Sequence, residues 1–392
     1  MTIFLFYKFL IVPGGAERLI FEEYKAFKEL GYNVKLVVFG YKESALFGEK
    51  IHEDIISFNQ KSWFLSIISF ITLLKNTPHS VVISSSGIVE TFFACTLAKT
   101  KYSLHLHHPL TMNLDTSKYS FFLKNKYQYI LERSCESEKI EQRRKKIKFI
   151  EYFYISVRQF LLSLSIKFSE NIFVLSGYAK DELESIYGVK SEIIQGAVLT
   201  SNPSCNPIPF IAKIEGLKIL SVSRLEPQKR VDKAIYAFYE FLSDNPNSTM
   251  FIGGTGSHEA HLKLIVKDLG IETKVFFLGF IPDIDLLNYY SSVDVFLSLD
   301  WADYNITVYE AVSTDTKVVA SNEGEFNREL INNGIIISVN PLDIDSIVNG
   351  IISASVYKMV NKKDYLSEIL ELYTWSSYCK NIAKILKIKP NR

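Results

Sequence analysis

The sequence predicts an α/β protein built from two doubly wound, parallel-sheet domains. Three observations carry that reading. The chain has 392 residues, more than one hydrophobic core ordinarily organises. Short apolar runs alternate with segments of helical spacing, and such alternation implies crossover connections between parallel strands. The alternation breaks at Ser201 to Pro209, which holds three prolines, and then restarts. Hydrophobic residues make up 47% and charged residues 22%, as in a folded globular protein rather than a disordered one. A net charge of +1 excludes a chain-wide basic field for nucleic acid. Aromatic residues reach 14%, which suits either bulky core residues or an apolar surface facing a membrane.

In the first half, Ile3 to Tyr7 reads as a buried strand, Pro13-Gly14-Gly15 as a loop, and Ala16 to Leu30 as a helix. Ile20, Tyr24, Phe27 and Leu30 form its apolar stripe, and Gly31 is its stop. Val34 to Phe39, Val81 to Ser84, Ser103 to Leu106 and Ile172 to Leu175 are further strands. Met1 to Val12 is apolar but has no basic lead and no small-residue cleavage site, so it reads as a first strand and not a signal peptide. The apolar run Trp63 to Leu74 is too short for a transmembrane helix. In the second half, Lys218 to Val222, Thr249 to Ile252, Val275 to Leu278, Val295 to Ser298 and Lys317 to Ala320 are strands, and Val231 to Leu242 is a helix. No repeat of solenoid period occurs. The expected division is 1–205, 206–372, and a C-terminal helix over 373–392, whose return to the first domain is implied only by the resemblance described below. Two such domains facing each other leave a cleft at the carboxyl ends of both sheets.

Cys95, Cys135, Cys205 and Cys379 are widely spaced, which excludes a zinc ribbon or a Cys-x-x-Cys redox site and disfavours a disulfide framework. A reducing compartment is expected. Arg224 and Lys229 follow a strand and precede a helix, where a cationic pair can hold a diphosphate; two solvated loop cations are the other reading. Glu310 opens a helical segment, as a ribose-binding or a dipole-stabilising carboxylate. Gly14 and Gly15 permit close backbone approach to an anionic or sugar ligand, and a plain tight turn fits equally. They belong to neither a Walker A loop nor a full Gly-x-Gly-x-x-Gly fingerprint. His105, His107 and His108 end a strand. With no Cys, Asp or Glu nearby in sequence, a metal site is disfavoured, and substrate contact by one of them stands beside plain packing. Asp283/Asp285 and Asp343/Asp345 read as helix-capping carboxylates and not a cation site. Lys139 to Lys148 carries six basic residues against Glu141, a solvated helix face or a contact for anionic lipid.

Together these segments resemble the family 4 retaining glycosyltransferases of the GT-B fold. ILSVSRLEPQKRVDKAI is similar to the family's diphosphate-gripping stretch, MFIGGTGSHEAHLKLIVKDLGIETKVFFLGFIP to its Gly turn and base-binding segment, and VDVFLSLDWADYNITVYEAVSTDTKVVASNEGEFNREL to its Glu-x7-Glu region. PGGAERLI and the His-x-Pro of LHLHHPL resemble the members that build lipid-linked N-glycan precursors.

The resemblance implies catalytic roles for His107, Arg224 and Lys229, with His107 near the reacting carbon and the two cations on the diphosphate. It implies donor binding by Gly14, Gly15, Gly253, Gly254, Gly279, Phe280, Ile281, Asp303, Asn305, Ile306, Thr307 and Glu310. Glu310 would take the ribose, the amides of Ile306 and Thr307 the phosphates, and Gly279 to Ile281 would border the base. No metal or other cofactor is implied, since the two cations replace it electrostatically. The expected partners are a nucleotide-sugar and a glycan or polyprenyl-linked acceptor, with peripheral contact at the cytoplasmic face of a membrane and no nucleic acid. Three positions depart from the family pattern. Ala302 replaces the first Glu of Glu-x7-Glu, with Asp303 as its substitute; Asn305 and Arg230 replace glycines. A non-catalytic nucleotide-sugar-binding scaffold and a GT-B epimerase are the alternative functions.

Overall fold

The structure, a computed structural model, describes residues 1–11, 15–46, 51–58, 62–108, 110, 149–194, 197, 205–300, 305–314, 316–356 and 371–390. The chain divides into two compact units, Met1–Gly196 with Trp375–Arg392, and Ala197–Thr374. The sequence places these boundaries at 205/206 and 372/373.

The first unit is built on strands β1 (Thr2–Phe6), β3 (Asn33–Val38), β5 (Ile55–Ser57), β6 (Ser80–Ser84), β7 (Tyr102–Leu106), β8 (Ile172–Val174) and β9 (Glu192–Ile193). Their order is β5-β3-β1-β6-β7-β8-β9, every pair parallel. Ile3, Phe4, Leu5 and Phe6 are all buried, so β1 is covered on both faces, as a central parallel strand requires. A two-residue pair, β2 (Phe9–Leu10) with β4 (Gly40–Tyr41), extends β1 and β3 beyond the sheet. Helix α1 (Gly15–Glu29) buries Leu19, Ile20, Tyr24 and Phe27 against the sheet. It stops at Gly31, whose φ of +82° is the left-handed position that a helix end favours. Helices α2 (Trp63–Asn76), α3 (Ile88–Ala98), α4 (Phe149–Lys167) and α5 (Gly177–Glu182) follow.

The second unit orders its strands β12-β11-β10-β13-β14-β15, again all parallel. These are β10 (Lys218–Val222), β11 (Thr249–Gly253), β12 (Val275–Gly279), β13 (Val295–Ser298), β14 (Lys317–Ser321) and β15 (Ile336–Val339). The helices are α6 (Pro209–Ala212), α7 (Val231–Leu242), α8 (Glu259–Asp268), α9 (Asp283–Tyr290), α10 (Ile306–Ser313), α11 (Arg328–Asn332) and α12 (Ile344–Val356). Val231, Ala234, Ile235, Phe238 and Phe241 make α7 amphipathic and pack it on the sheet. The edge strands β5, β9 and β15 were not predicted; β5 and β9 are short and bury no residue, so burial leaves little mark on their sequence, whereas β15 buries Ile336 and Val339 and was legible as an apolar run.

The last helix, α13 (Trp375–Ile385), belongs to the first unit, where it packs against α1. Tyr378, Cys379, Ile382 and Ala383 are its buried face. Asp283 and Asp285 lie in the first turn of α9, whose N-cap is Pro282 with no side-chain cap, so their expected capping role is not made there; the Asp343 carboxylate accepts from the Asp345 amide at the start of α12, which is capping chemistry. Cys95, Cys205 and Cys379 are free thiols. Cys135, the basic run 139–148 and residues 201–204 of the proline-rich stretch lie outside the described residues.

In each sheet, the order of strands reverses between two central neighbours. The reversal falls between β1 and β6 in the first unit and between β10 and β13 in the second. At such a point the loops leaving the two strands diverge, and ligands of open α/β sheets bind beside them.

Candidate functional site

Four loops meet at the carboxyl edge of the second sheet. The first, after β10, carries Arg224 and Lys229. Its backbone is tied to the loop after β11: the Ser223 amide donates to Gly253 O at 3.2 Å and the Leu225 amide to Thr255 O at 3.0 Å. The Gly254 amide in turn donates to Gly279 O at 2.7 Å, joining the loop after β12. Gly254 has φ +114°, and a Cβ there would sit 1.8 Å from Ser223 O. Only glycine permits these two loops to approach so closely. Gly253 has a packing role, since a Cβ on it would meet Ile281 Cδ1 at 2.5 Å. Ile281 is buried behind it, while Phe280 is exposed.

The fourth loop follows β13 and presents Asp300, which is nearly buried. The Lys229 ammonium donates to Asp300 Oδ2 at 2.5 Å, with side-chain exposures of 17% and 7%. Ser298 Oγ and Asn305 Nδ2 each donate to Asp300 Oδ1 at 2.8 Å. Burial would raise the Asp300 carboxyl, but the Lys229 ammonium and these hydrogen bonds outweigh it and hold the group below the ordinary carboxylate range. Lys229 is therefore neither a solvated loop cation nor a wholly free one. Asp300 takes one of its three N–H donors and fixes where the other two point. Sequence reasoning missed Asp300. Its signal was an acid directly after a buried strand, and nothing local marked Lys229 as its partner.

Two of the departures from the family pattern find a structural account here. Arg230 sits at φ +51°, the left-handed region that favours glycine. In exchange, its Nη1 donates to Leu299 O at 3.1 Å and to Glu323 Oε2 at 2.6 Å, bracing the first loop against the fourth. Asn305 caps α10. Its Oδ1 accepts from the Thr307 amide at 3.2 Å and the Thr307 hydroxyl at 2.5 Å, while its Nδ2 orients Asp300. The amides of Ile306 and Thr307 thus sit at the amino end of α10, which carries partial positive charge. Glu310 lies in the second turn of α10, not at its start. It is buried, and accepts from the Tyr290 hydroxyl at 3.4 Å. Ala302 and Asp303 lie outside the described residues, as does Gly14.

In the first unit, His107 stands one residue past β7, at the carboxyl edge of its sheet. The Ala16 backbone, just after Gly15 at the start of α1, lies beside its ring. Burial, reinforced by the neighbouring His105 and His108, holds the His107 imidazole well below its ordinary range, so it is neutral at physiological pH. By strict hydrogen-bond geometry neither of its ring nitrogens has a partner among the described residues. His105 is different. Its Nδ1 lies 3.2 Å from Glu23 Oε2 of α1, and its Nε2 lies 2.6 Å from the Tyr378 hydroxyl of α13. The carboxylate that appeared to be missing around these histidines thus arrives from a helix some eighty residues earlier in the chain.

Residues 210–367 match the family model described as glycosyl transferases group 1. That match lies within the second unit, so this part of the chain is similar to the glycosyl transferases group 1 model. An uncharacterised glycosyltransferase of Methanocaldococcus jannaschii is 28% identical over 174 residues, 43% of this chain and 44% of that protein. The O-antigen chain mannosyltransferase RfbU of Salmonella typhimurium is 31% identical over 198 residues, 50% of this chain and 53% of that one. The chain thus spans about half the length of the curated relatives it matches. Across nearly the whole chain the fold is that of solved glycosyltransferase structures. Anabaena HepE, crystallised with UDP and glucose, superposes with a TM-score of 0.72 at 17% identity, covering 99% of each chain. The expected GT-B class, with its two Rossmann-like units, is the fold of this chain.

Proposed function

We propose that this chain is a family 4 retaining glycosyltransferase. It would move a hexose from a nucleotide-sugar to a hydroxyl of a glycan or lipid-linked glycan. The observation that carries the reading is the Lys229–Asp300 pair. A part-buried ammonium, held at the switch point of a group 1 domain beside the amino end of α10, is an anchor for a diphosphate. Arg224, exposed on the same loop, supplies the second cation. The relatives support the direction: one is named a mannosyltransferase, and one structural neighbour holds UDP and glucose.

In this mechanism the acceptor hydroxyl attacks the anomeric carbon as the bond from that carbon to the diphosphate oxygen breaks. The acceptor proton passes to the leaving phosphate on the same face of the sugar, which gives retention. Arg224, Lys229 and the amide of Ile306 stabilise the charge that builds on the diphosphate, while the expected Thr307 amide is already given to Asn305 Oδ1. They do so without a metal. Gly279 to Ile281 border the base, Glu310 takes the ribose, and Gly253, Gly254, Asp303 and Asn305 complete the donor site. Neutral His107, with Gly14 and Gly15, meets the sugar.

The acceptor face is proposed to be lipid-linked, with the enzyme resting on the cytoplasmic face of a membrane. Among the described residues no helix is long and apolar enough to cross a membrane. Trp63, Phe64, Leu65 and Ile68 of α2, however, are exposed, as are Phe153, Tyr154, Val157 and Phe160 of α4. Aromatic residues left in water in this number suit an interfacial surface, next in sequence to the basic run 139–148.

A thermal-shift screen against UDP, GDP, ADP and their hexose conjugates, followed by transfer assays with membrane extract, tests this. One nucleotide should raise the melting temperature by mass action. The Arg224→Ala/Lys229→Ala double variant should lose that shift and all transfer. Full transfer by this variant would refute the assignment. Binding without turnover would favour the scaffold reading, to which Ala302 lends weight.

A further inference from the structure

The ring of His107 has little to hold it. It is buried, neutral, and without a hydrogen bond of strict geometry among the described residues. A histidine that meets a substrate needs a fixed ring plane, because a misplaced donor or acceptor forfeits most of its effect. Beside the Ala16 backbone, the side chain packed against this ring is His105. The two rings stand edge to face, centroids 4.5 Å apart and planes at 88°.

His105 is itself held at both nitrogens. With Glu23 as a carboxylate, Nδ1 carries the proton and donates to it, and the Tyr378 hydroxyl engages Nε2. All three side chains are buried. The Tyr378 ring is packed in turn by Trp375, 5.4 Å away and near perpendicular. Cys379, the next residue of α13, donates its thiol to the Glu23 carbonyl at 3.6 Å. The last helix of the chain therefore touches both supports of His105.

We propose that His105, clamped between Glu23 and Tyr378, is a positioning residue for His107, so that the docked C-terminal helix sets the pose of the sugar-side histidine. This rests on the proposed function for its catalytic consequence, though not for the geometry itself. The same cluster could be taken for a metal site, since Glu23, His105 and His107 offer ligand atoms within 4.8 Å of one another. Both nitrogens of His105 are engaged by Glu23 and Tyr378, whereas Glu23 Oε1 and both nitrogens of His107 are buried without a partner among the described residues, so an ion at this cluster is one outcome of the test.

The test uses Tyr378→Phe, which keeps the ring and removes one hydrogen bond, with Glu23→Gln as a second variant. In 13Cε1-histidine NMR the His107 resonance, assigned by its loss in His107→Gln, should broaden or move in both variants, and its titration should rise toward the ordinary histidine range. The groups facing that ring are His105 and His108, with Glu23 and Tyr378 behind them. In transfer assays, kcat should fall roughly three- to tenfold, the scale of one neutral hydrogen bond, with the KM for nucleotide-sugar unchanged. A His107 resonance that is unmoved in both variants overturns the proposal. So does stoichiometric zinc in protein purified without a histidine tag, because the cluster is then a metal centre. The NMR measurement needs no substrate. A parent protein that transfers no sugar would therefore sink the proposed function and leave this inference to be decided by the spectra.

Discussion

Replacing Asp300 by Asn tests the centre of the candidate donor site. The substitution keeps shape and keeps an oxygen for Ser298 and Asn305, but sets an amide N–H2 against the Lys229 ammonium. Removing one member of a pair this buried leaves the other charge uncompensated, at a cost of about 3 kcal/mol. For a unit of this size each kcal/mol lowers the melting temperature by about 2–4 °C, so a loss of roughly 6–12 °C is expected at pH 7. The pH dependence is equally specific. The folded-state carboxyl lies below its ordinary value of 3.8, so the pair's contribution is fully present above that value and is lost as pH falls through the folded one. The gap between parent and variant should therefore be constant from pH 7 to about 5 and close below about pH 4. Denaturant melts at stepped pH measure it, and a double-mutant cycle with Lys229→Met isolates the pair. A melting temperature within 2 °C of the parent, or a gap that does not change with pH, would refute the reasoning.

Arg230→Gly relieves the φ of +51° but forfeits the bonds to Leu299 and Glu323. The strain relief of about 1 kcal/mol is offset by glycine's greater unfolded-state entropy, so a net loss of about 2 kcal/mol should appear in denaturant melts. Gly254→Ala drives a methyl into the Ser223 carbonyl and should cost more than 3 kcal/mol or abolish soluble expression; a near-parental melt would show the loops to be looser than the geometry implies. His107 is held neutral when folded and titrates at its ordinary value near 6.5 when unfolded. Acidification below pH 6.5 should thus cost stability that His107→Asn retains, and parallel pH profiles for the two would disprove this. Replacing Phe64 and Phe160 by Ser should weaken pelleting with anionic liposomes severalfold without lowering the melting temperature, since both side chains are exposed. Equal pelleting would remove this face from consideration.

Much of the fold was legible because parallel strands buried on both faces must be written as short apolar runs. Ile3 to Phe6 and Val295 to Ser298 could hardly be anything else once helical segments alternated with them. The short edge strands β5 and β9 escaped because they bury no residue, and an edge strand that buries less constrains its residues less. Arg224 and Lys229 were legible as candidate site residues from their place in a loop after a strand, where the loops of an α/β sheet gather; Gly254 and Gly279 entered only through the family resemblance.

The partners of those residues were not legible. Asp300 meets Lys229 across 71 positions of chain, and Tyr378 meets His105 across 273. Sequence periodicity reports which face of an element is buried, through the 3.6- and 2-residue repeats of helix and strand. It carries no record of which buried faces come into contact. The amino-acid sequence by itself determined two parallel-sheet units and the loops that hold the candidate chemistry. The tertiary structure alone decided that Lys229 is pinned by a buried carboxylate and that Arg230 and Asn305 turn glycine positions into braces. It also decided that a glutamate from the first helix and a tyrosine from the last converge on one histidine. Those pairings depend on hydrogen-bond geometry within a few ångströms, and only the packing of whole elements against each other sets distances on that scale.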